Sequence, residues 1–257
     1  MKLPLFPLNT VLFPGALLPI HIFEERYKAL VKYCLRENVQ FAVVLIKEGR
    51  EVTGPSVPYS IGVLARITQV EELQEGRYNI LCQGEERFRV TALDRRSAEY
   101  LQADIELLPD EPAPAAALAM VADRVATLFD EYYRLMVALM GGWQRESGHG
   151  EPTWMFDAGM LAEKQAQIQT TRVLDRMEDG APVMPVPVLP EDPTALANIV
   201  ASEMSVRVSV KQDLLEAPSA LARLQREAEL LTQETATLGE RLHAQHRMRF
   251  TAFGTAN

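Results

Sequence analysis

With 257 residues, 47% of them hydrophobic and 24% charged, the chain can bury a sizeable core and has the composition of a soluble globular protein. No apolar run approaches the ~20 residues that span a bilayer, and Met1–Pro7 leads into no signal-like apolar block, so no membrane partner and a cytoplasmic location are expected. The formal net charge of −9 repels phosphate backbones, which makes nucleic acid a poor default partner.

The first 110 residues read mostly as β-structure. Leu3–Leu8 is a short apolar strand, which Pro4 and Pro7 assign to an edge or to an irregular ladder. Leu17–Phe23 is a second strand. Glu24–Arg36 has helical spacing, with Tyr27, Leu30, Val31 and Cys34 on one face and two acids in the first turn. Phe41–Ile46 is a continuous apolar run, as expected of a strand buried on both faces, and Gly49–Ser60 reads as a loop. Val63, Ala65, Ile67 and Val70 alternate, and Gln74-Glu75-Gly76 turns the chain. Tyr78, Ile80 and Cys82 alternate next. Gly84-Glu85 is then expected to make a second turn before a strand carrying Phe88 and Val90. Tyr100–Leu107 alternates again. Short strands, tight turns and one helix indicate a small, partly closed barrel.

Pro109–Pro114 is a linker by composition, and helix dominates beyond it. Ala115–Leu139 presents Leu118, Val121, Val125, Leu128 and Tyr132 on one face, and Gly141-Gly142 is expected to end it. Gln144–Pro152 reads as a loop, Met160–Met177 as a helix, and Ala181–Pro193 as a proline-rich tether. Thr194–Met204 and Val210–Glu216 are short helices. A long last helix follows, with Pro218 in its first turn. Its heptad stripe runs Leu221, Leu224, Ala228, Leu231, Thr235, Leu238 and Leu242. Ala228 and Thr235 are poor seam residues, so the stripe is expected to pack within its own chain and a monomer is favoured. The fold class is thus α+β, with a β-barrel subdomain at 1–112, a helical subdomain at 113–257 and an inserted segment at about 141–193.

Little in the sequence promises chemistry. No GxxxxGK[ST] phosphate loop occurs, and GGWQRESGHG (141–150) lacks the lysine such a loop requires. Cys34 and Cys82 belong to no CxxC pair and read as buried reduced thiols. His243 and His246 lie three apart with no HExxH or acidic partner and read as a solvated helix tail, so no metal and no cofactor are expected. His21 sits in an apolar strand and reads as a core or edge histidine; His149, in the polar loop, carries no signal. The pairs Glu71-Glu72 and Glu85-Glu86 flank turns and read as solvated carboxylates. The surface candidates are the Phe13-Pro14-Gly15 turn, which could present Leu12 and Phe13, and the helix start at Glu24, Glu25 and Arg26. Together Leu12, Phe13, Pro14, Glu24, Glu25 and Arg26 would form an apolar groove with a polar rim suited to an extended peptide.

Three blocks of sequence carry a family resemblance. The first is LPLFPLNTVLFPGALLPIHIFEERYKALV, Leu3 to Val31. The second joins Gly62-Val63 through Ile67, Gly76-Arg77-Tyr78 and Gly84-x-x-Arg87-Phe88-Arg89-Val90. The third is Lys211-Gln212-Asp213-Leu214-Leu215-Glu216 with the helix after it. The chain resembles the N-terminal, substrate-binding domain of the Lon proteases, in a stand-alone form without ATPase or protease domains. The resemblance implies a PUA-like β-barrel followed by a helical bundle. It also implies a non-catalytic role in recognising unfolded or partly folded polypeptides, as an adaptor for a separate protease or chaperone. Gly54-Pro55-Ser56 matches the start of the motif around the Lon nucleophile, but Val57-Pro58 replaces Ala-Gly and no lysine lies between Lys47 and Lys164. A peptidase acting on unfolded proteins is one alternative. RNA binding through the PUA-like barrel is another, which the net charge disfavours.

Overall fold

The computed structural model describes residues 1–49, 57–143 and 188–254. Its elements in chain order are β1 (Lys2–Leu8), β2 (Leu17–Ile22), α1 (Glu25–Glu37), β3 (Phe41–Glu48), β4 (Val57–Glu72), β5 (Tyr78–Asp94) and β6 (Gln102–Leu107). Then come α2 (Ala115–Trp143), α3 (Pro193–Glu203), α4 (Val208–Glu216) and α5 (Ala220–Gly254). The residues 160–177 read as a helix lie outside the described residues. Two compact units result: Met1–Ala119 with Glu191–Glu227, and Met120–Pro190 with Ala228–Asn257.

The strands form one sheet in the order β2-β5-β4-β3-β1-β6, and β6 pairs back onto β5. Five strands therefore close into a ring, and β2 is attached outside it, on β5 alone among the described strands. The closure depends on the length of β5. Its first half, Tyr78–Gln83, pairs with β2, and its second half, Phe88–Asp94, pairs with β6. The expected turn at Gly84-Glu85 is therefore absent, and one 17-residue strand replaces two. Only a register shift marks the place, between Val63/Arg87 and Ala65/Gly84. By contrast, Gln74–Gly76 does turn the chain, with left-handed φ of 63° at Glu75 and 64° at Gly76.

The inside of the ring takes alternate residues from every ring strand: Leu3 and Leu5, Ala42 and Val44, Leu64, Phe88, Ala103 and Ile105. The opposite faces of β1 and β3 are buried too, and Phe6 stacks on Tyr27 of α1 at 4.0 Å. This double burial explains the unbroken apolar run Phe41–Leu45. Of the two readings its prolines allow, an edge or an irregular ladder, β1 takes the second. It is handed over: Lys2–Pro4 pair antiparallel with β6, and Leu5–Leu8 pair parallel with β3. Each half is laddered mainly on one side, which leaves room for residues that lack an N–H.

The helix ends follow their sequences. Asp192 caps α3, accepting from the Ala195 N–H at 2.8 Å, with Pro193 in the first turn. Ser219 caps α5, accepting from the Ala222 N–H at 3.2 Å, so Pro218 precedes the cap and is not in the first turn. α2 continues through Gly141-Gly142 to Trp143 instead of stopping at the glycines. In the second unit, Ala122, Val125, Phe129 and Tyr132 of α2 and Leu230, Leu231 and Leu238 of α5 are buried. Leu224 is buried in the first unit. The heptad stripe is thus covered within the chain.

Candidate functional site

The Phe13-Pro14-Gly15 turn is built on a backbone contact with β5. Gly15 donates to the Gly84 carbonyl at 2.8 Å, and Gly84 donates to the Ala16 carbonyl at 2.9 Å. A Cβ on Gly84 would lie 2.2 Å from the Phe13 carbonyl oxygen, so only glycine lets the two backbones approach. That is why a glycine sits in the middle of a strand, and why it misleads as a turn signal. Gly15 has φ of 80°, the left-handed conformation the turn requires. The side chains point inward: Phe13 is 0% and Leu12 4% exposed, whereas Pro14 is half-buried. Leu12 and Phe13 are the foundation of this turn, and Pro14 and Gly15 reach the surface.

The region around the end of β2 is more open. Phe23 is 49% exposed directly after the strand, and its ring lies 6.0 Å from that of His21. The His21 Nδ1 lies 2.8 Å from Asn79 Oδ1, and the Asn79 amide donates to Glu71 at 2.8 Å. A polar row thus crosses β2, β5 and β4 on one face. Because a carboxylate only accepts, Glu71 turns the Asn79 Nδ2 toward itself and leaves the oxygen for His21, whose Nδ1 therefore donates.

Glu24 does not cap α1 with its side chain. It pairs with Arg26 at 2.8 Å, and the Arg26 guanidinium covers the Tyr27 ring at 4.4 Å. Lys28 bonds Glu25 at 2.9 Å and the Glu75 carbonyl at 3.0 Å, which ties the start of α1 to the β4–β5 turn. The structure thus gathers Phe23, Glu24, Glu25 and Arg26 around one end of the β2–β5–β4 ladder.

A second polar assembly, which the sequence reading did not single out, is buried. Arg87 on β5 donates to the carbonyls of Leu215 and Ala217, both at 2.7 Å, and to Asp110. Arg223, 0% exposed on α5, donates to the Leu214 carbonyl at 3.1 Å and to Asp110 at 3.0 Å. Gln212 donates to the Ile61 carbonyl at 3.1 Å. Burial, reinforced by the Arg223 charge, lowers the Arg87 pKa from its usual range, while Asp110 opposes the shift. One turn further along α5, Glu227 is buried and neither carboxyl oxygen has a hydrogen-bond partner among the described residues. Burial pushes its pKa well up, against the pull of Arg223. Arg87 and Gln212 belong to the sequence blocks quoted above. Their bonds to Leu215, Ala217 and Ile61 span 128 to 151 residues, so these motif residues close the fold.

The remaining candidates are dispersed. Burial pushes both the Cys34 and the Cys82 thiol up to about 12, which suppresses the reactive thiolate. His243 is exposed on α5, and Ser56 and His149 lie outside the described residues. Among the described residues no group of three or more His, Cys, Asp or Glu is placed to hold a metal ion. No described helix is long and apolar enough to cross a membrane.

Comparison with known proteins follows this geometry. Residues 2–233 match the family model described as the ATP-dependent protease La (LON) substrate-binding domain. The chain is 37% identical over 144 residues to the Lon protease of Orientia tsutsugamushi, covering 52% of this chain and 17% of that protein. It is 26% identical over 252 residues to Lon protease 2 of Herpetosiphon aurantiacus, covering 96% of this chain and 26% of that protein. It therefore spans about a quarter or less of these relatives' length. Among solved structures, the N-terminal domain of the Mycobacterium avium complex Lon protease shares the fold, with TM-score 0.52 and 20% identity over 92% of this chain and 98% of that one.

Proposed function

We propose, since the chain belongs to the substrate-binding domain family of the Lon proteases, that it captures exposed segments of unfolded polypeptides without cleaving them and serves as an adaptor for a separate protease or chaperone. The observation that carries this reading is the half-exposed Phe23 between the side of β2 on which, among the described residues, no strand lies and the charged start of α1. An exposed aromatic beside unsatisfied backbone is the surface an extended, partly apolar chain can cover. Pro14, Glu24, Glu25 and Arg26 form the outer part of this surface. Leu12 and Phe13 serve it from beneath by fixing the turn.

Such binding is weak and tolerant of sequence, because backbone pairing and apolar burial discriminate little between clients. The test is retention of reduced, carboxymethylated α-lactalbumin on the immobilised 257-residue chain at micromolar concentration. We expect the unfolded protein to be retained and the native one to pass through. Equal passage of both would refute the reading. Casein incubated with the chain, with and without ATP, is expected to stay intact, and cleavage lost in Ser56→Ala would replace binding with catalysis.

A further inference from the structure

The binding surface has a definite backbone pattern. Gly84 accepts from the Gly15 N–H and donates to the Ala16 carbonyl, while the Ala16 N–H turns to the Phe13 carbonyl; the contact is a bulge in which both Gly84 backbone groups face β2. In an antiparallel ladder bonded and non-bonded pairs alternate. From the register, Leu18/Cys82, Ile20/Ile80 and Ile22/Tyr78 are then bonded pairs, and Leu17/Gln83, Pro19/Leu81 and His21/Asn79 are not. The N–H and C=O groups of residues in non-bonded pairs point away from β5. Pro19 checks this phase independently, since a residue without an N–H cannot fill a bonded position. Among the described residues no strand lies on that side of β2. Two donors, Leu17 and His21, and three acceptors, Leu17, Pro19 and His21, therefore face outward along one edge.

The charge around this edge has a sign. Lys28 holds the α1 start against the β4–β5 turn. Glu24, Glu25, Glu71, Glu72 and Glu75 surround that junction, against Arg26, Lys28 and Arg77. Each of these three cations is paired with a neighbouring glutamate, which leaves an acidic excess. Phe23 adds an exposed aromatic ring at the same end.

We propose that an extended polypeptide segment carrying lysine or arginine docks along the outer edge of β2 as an added strand, paired with the backbone of Leu17, Pro19 and His21 and ending against Phe23 and the acidic start of α1. This rests on the polypeptide-binding reading above and specifies how and where that binding occurs. A lysine or arginine in the segment meets acidic side chains and an aromatic face, and its aliphatic stem covers Phe23.

The probe is a ten-residue alternating Val-Lys peptide, labelled and titrated against the full chain by fluorescence anisotropy. His21→Pro deletes an outward N–H that takes no part in the β5 ladder and is expected to weaken binding about tenfold, the upper range for one backbone hydrogen bond. His21→Ala keeps that N–H and is expected to stay within about threefold. Circular dichroism establishes that His21→Pro is folded. Should it not fold, two peptides N-methylated at every Val or at every Lys decide on the unaltered protein, because one of them must lose its pairing. Retention of both, unchanged binding to folded His21→Pro, or a Val-Glu peptide binding as tightly as Val-Lys would overturn the proposal. Carboxymethylated α-lactalbumin retained under those results would leave the polypeptide-binding reading standing while the edge fails. Its loss on the unaltered chain would sink both.

Discussion

Two charged regions of the first unit differ in almost every physical respect. The Arg87–Asp110–Arg223 assembly is largely buried, its guanidinium donors meet carbonyl and carboxylate acceptors, and it joins residues 9 to 130 positions apart. The cluster at Glu24, Glu25, Arg26 and Lys28 faces solvent on one side, and apart from the Lys28 bond to the Glu75 carbonyl its pairs join residues two or three apart. Sequence lists charges in both places without distinguishing them. Burial decides that one is a lock and the other a surface.

The largest effect should come from breaking the lock on one side only. Asp110→Ala leaves two buried guanidinium groups sharing no counter-charge and is expected to destabilise the first unit by about 3–5 kcal/mol. Urea unfolding would measure it, and a loss below ~1 kcal/mol would mean that the carbonyl acceptors alone hold both arginines. Next, Leu231→Ala should cost about 2–5 kcal/mol through lost burial and a residual cavity. Sedimentation at several concentrations would accompany that measurement. Conversion of a stable dimer into an equally stable folded monomer would mean that the stripe is a seam between chains.

A smaller effect of opposite sign is expected at Glu227. Its folded pKa lies above the unfolded carboxylate value of ~4.3. Between those values the folded state binds the extra proton, so stability falls as pH rises through that window and is lowest above it. Glu227→Gln should flatten this slope and raise the urea midpoint at neutral pH. An unchanged slope would show that the carboxyl is ionised and solvated in the folded protein. The smallest stability effect belongs to Arg26→Ala, about 0.5 kcal/mol or less for a partly exposed pair. Its effect on retention of unfolded α-lactalbumin should instead be severalfold, and the reverse pattern would exchange the roles of the two regions.

Much of the fold was legible because its signals are local. Period-two alternation, the helical spacing of Tyr27, Leu30, Val31 and Cys34, and the turn at Glu75-Gly76 each depend on a few neighbouring residues. The errors came where a residue answers a distant partner. Gly84 accommodates the Phe13 carbonyl and does not turn the chain, whereas the irregular ladder that Pro4 and Pro7 allow is present in a strand that changes partners midway. The candidate site was half legible. The charged start of α1 is where its sequence put it, but the burial of Leu12 and Phe13 is set by β5, some seventy residues away. Phe23 and the free edge of β2 need the sheet order, which no local pattern encodes.

The lock also bears on how the chain is strung. The first unit is discontinuous: the chain leaves it after Ala119 and re-enters at Glu191. Arg87 and Gln212 bond across that excursion, so folding this unit closes a loop through residues 120–190. The entropy of closing a flexible loop grows only with the logarithm of its length, about 0.6 kcal/mol for each doubling. Set against a buried ionic assembly, that increment is small. By loop entropy alone, a change in the length of this excursion has little thermodynamic consequence for the sheet, provided α2 keeps Ala122, Val125, Phe129 and Tyr132 in place. Arg87, Asp110, Gln212 and Arg223 are bound to their partners' spacing in space and not in sequence.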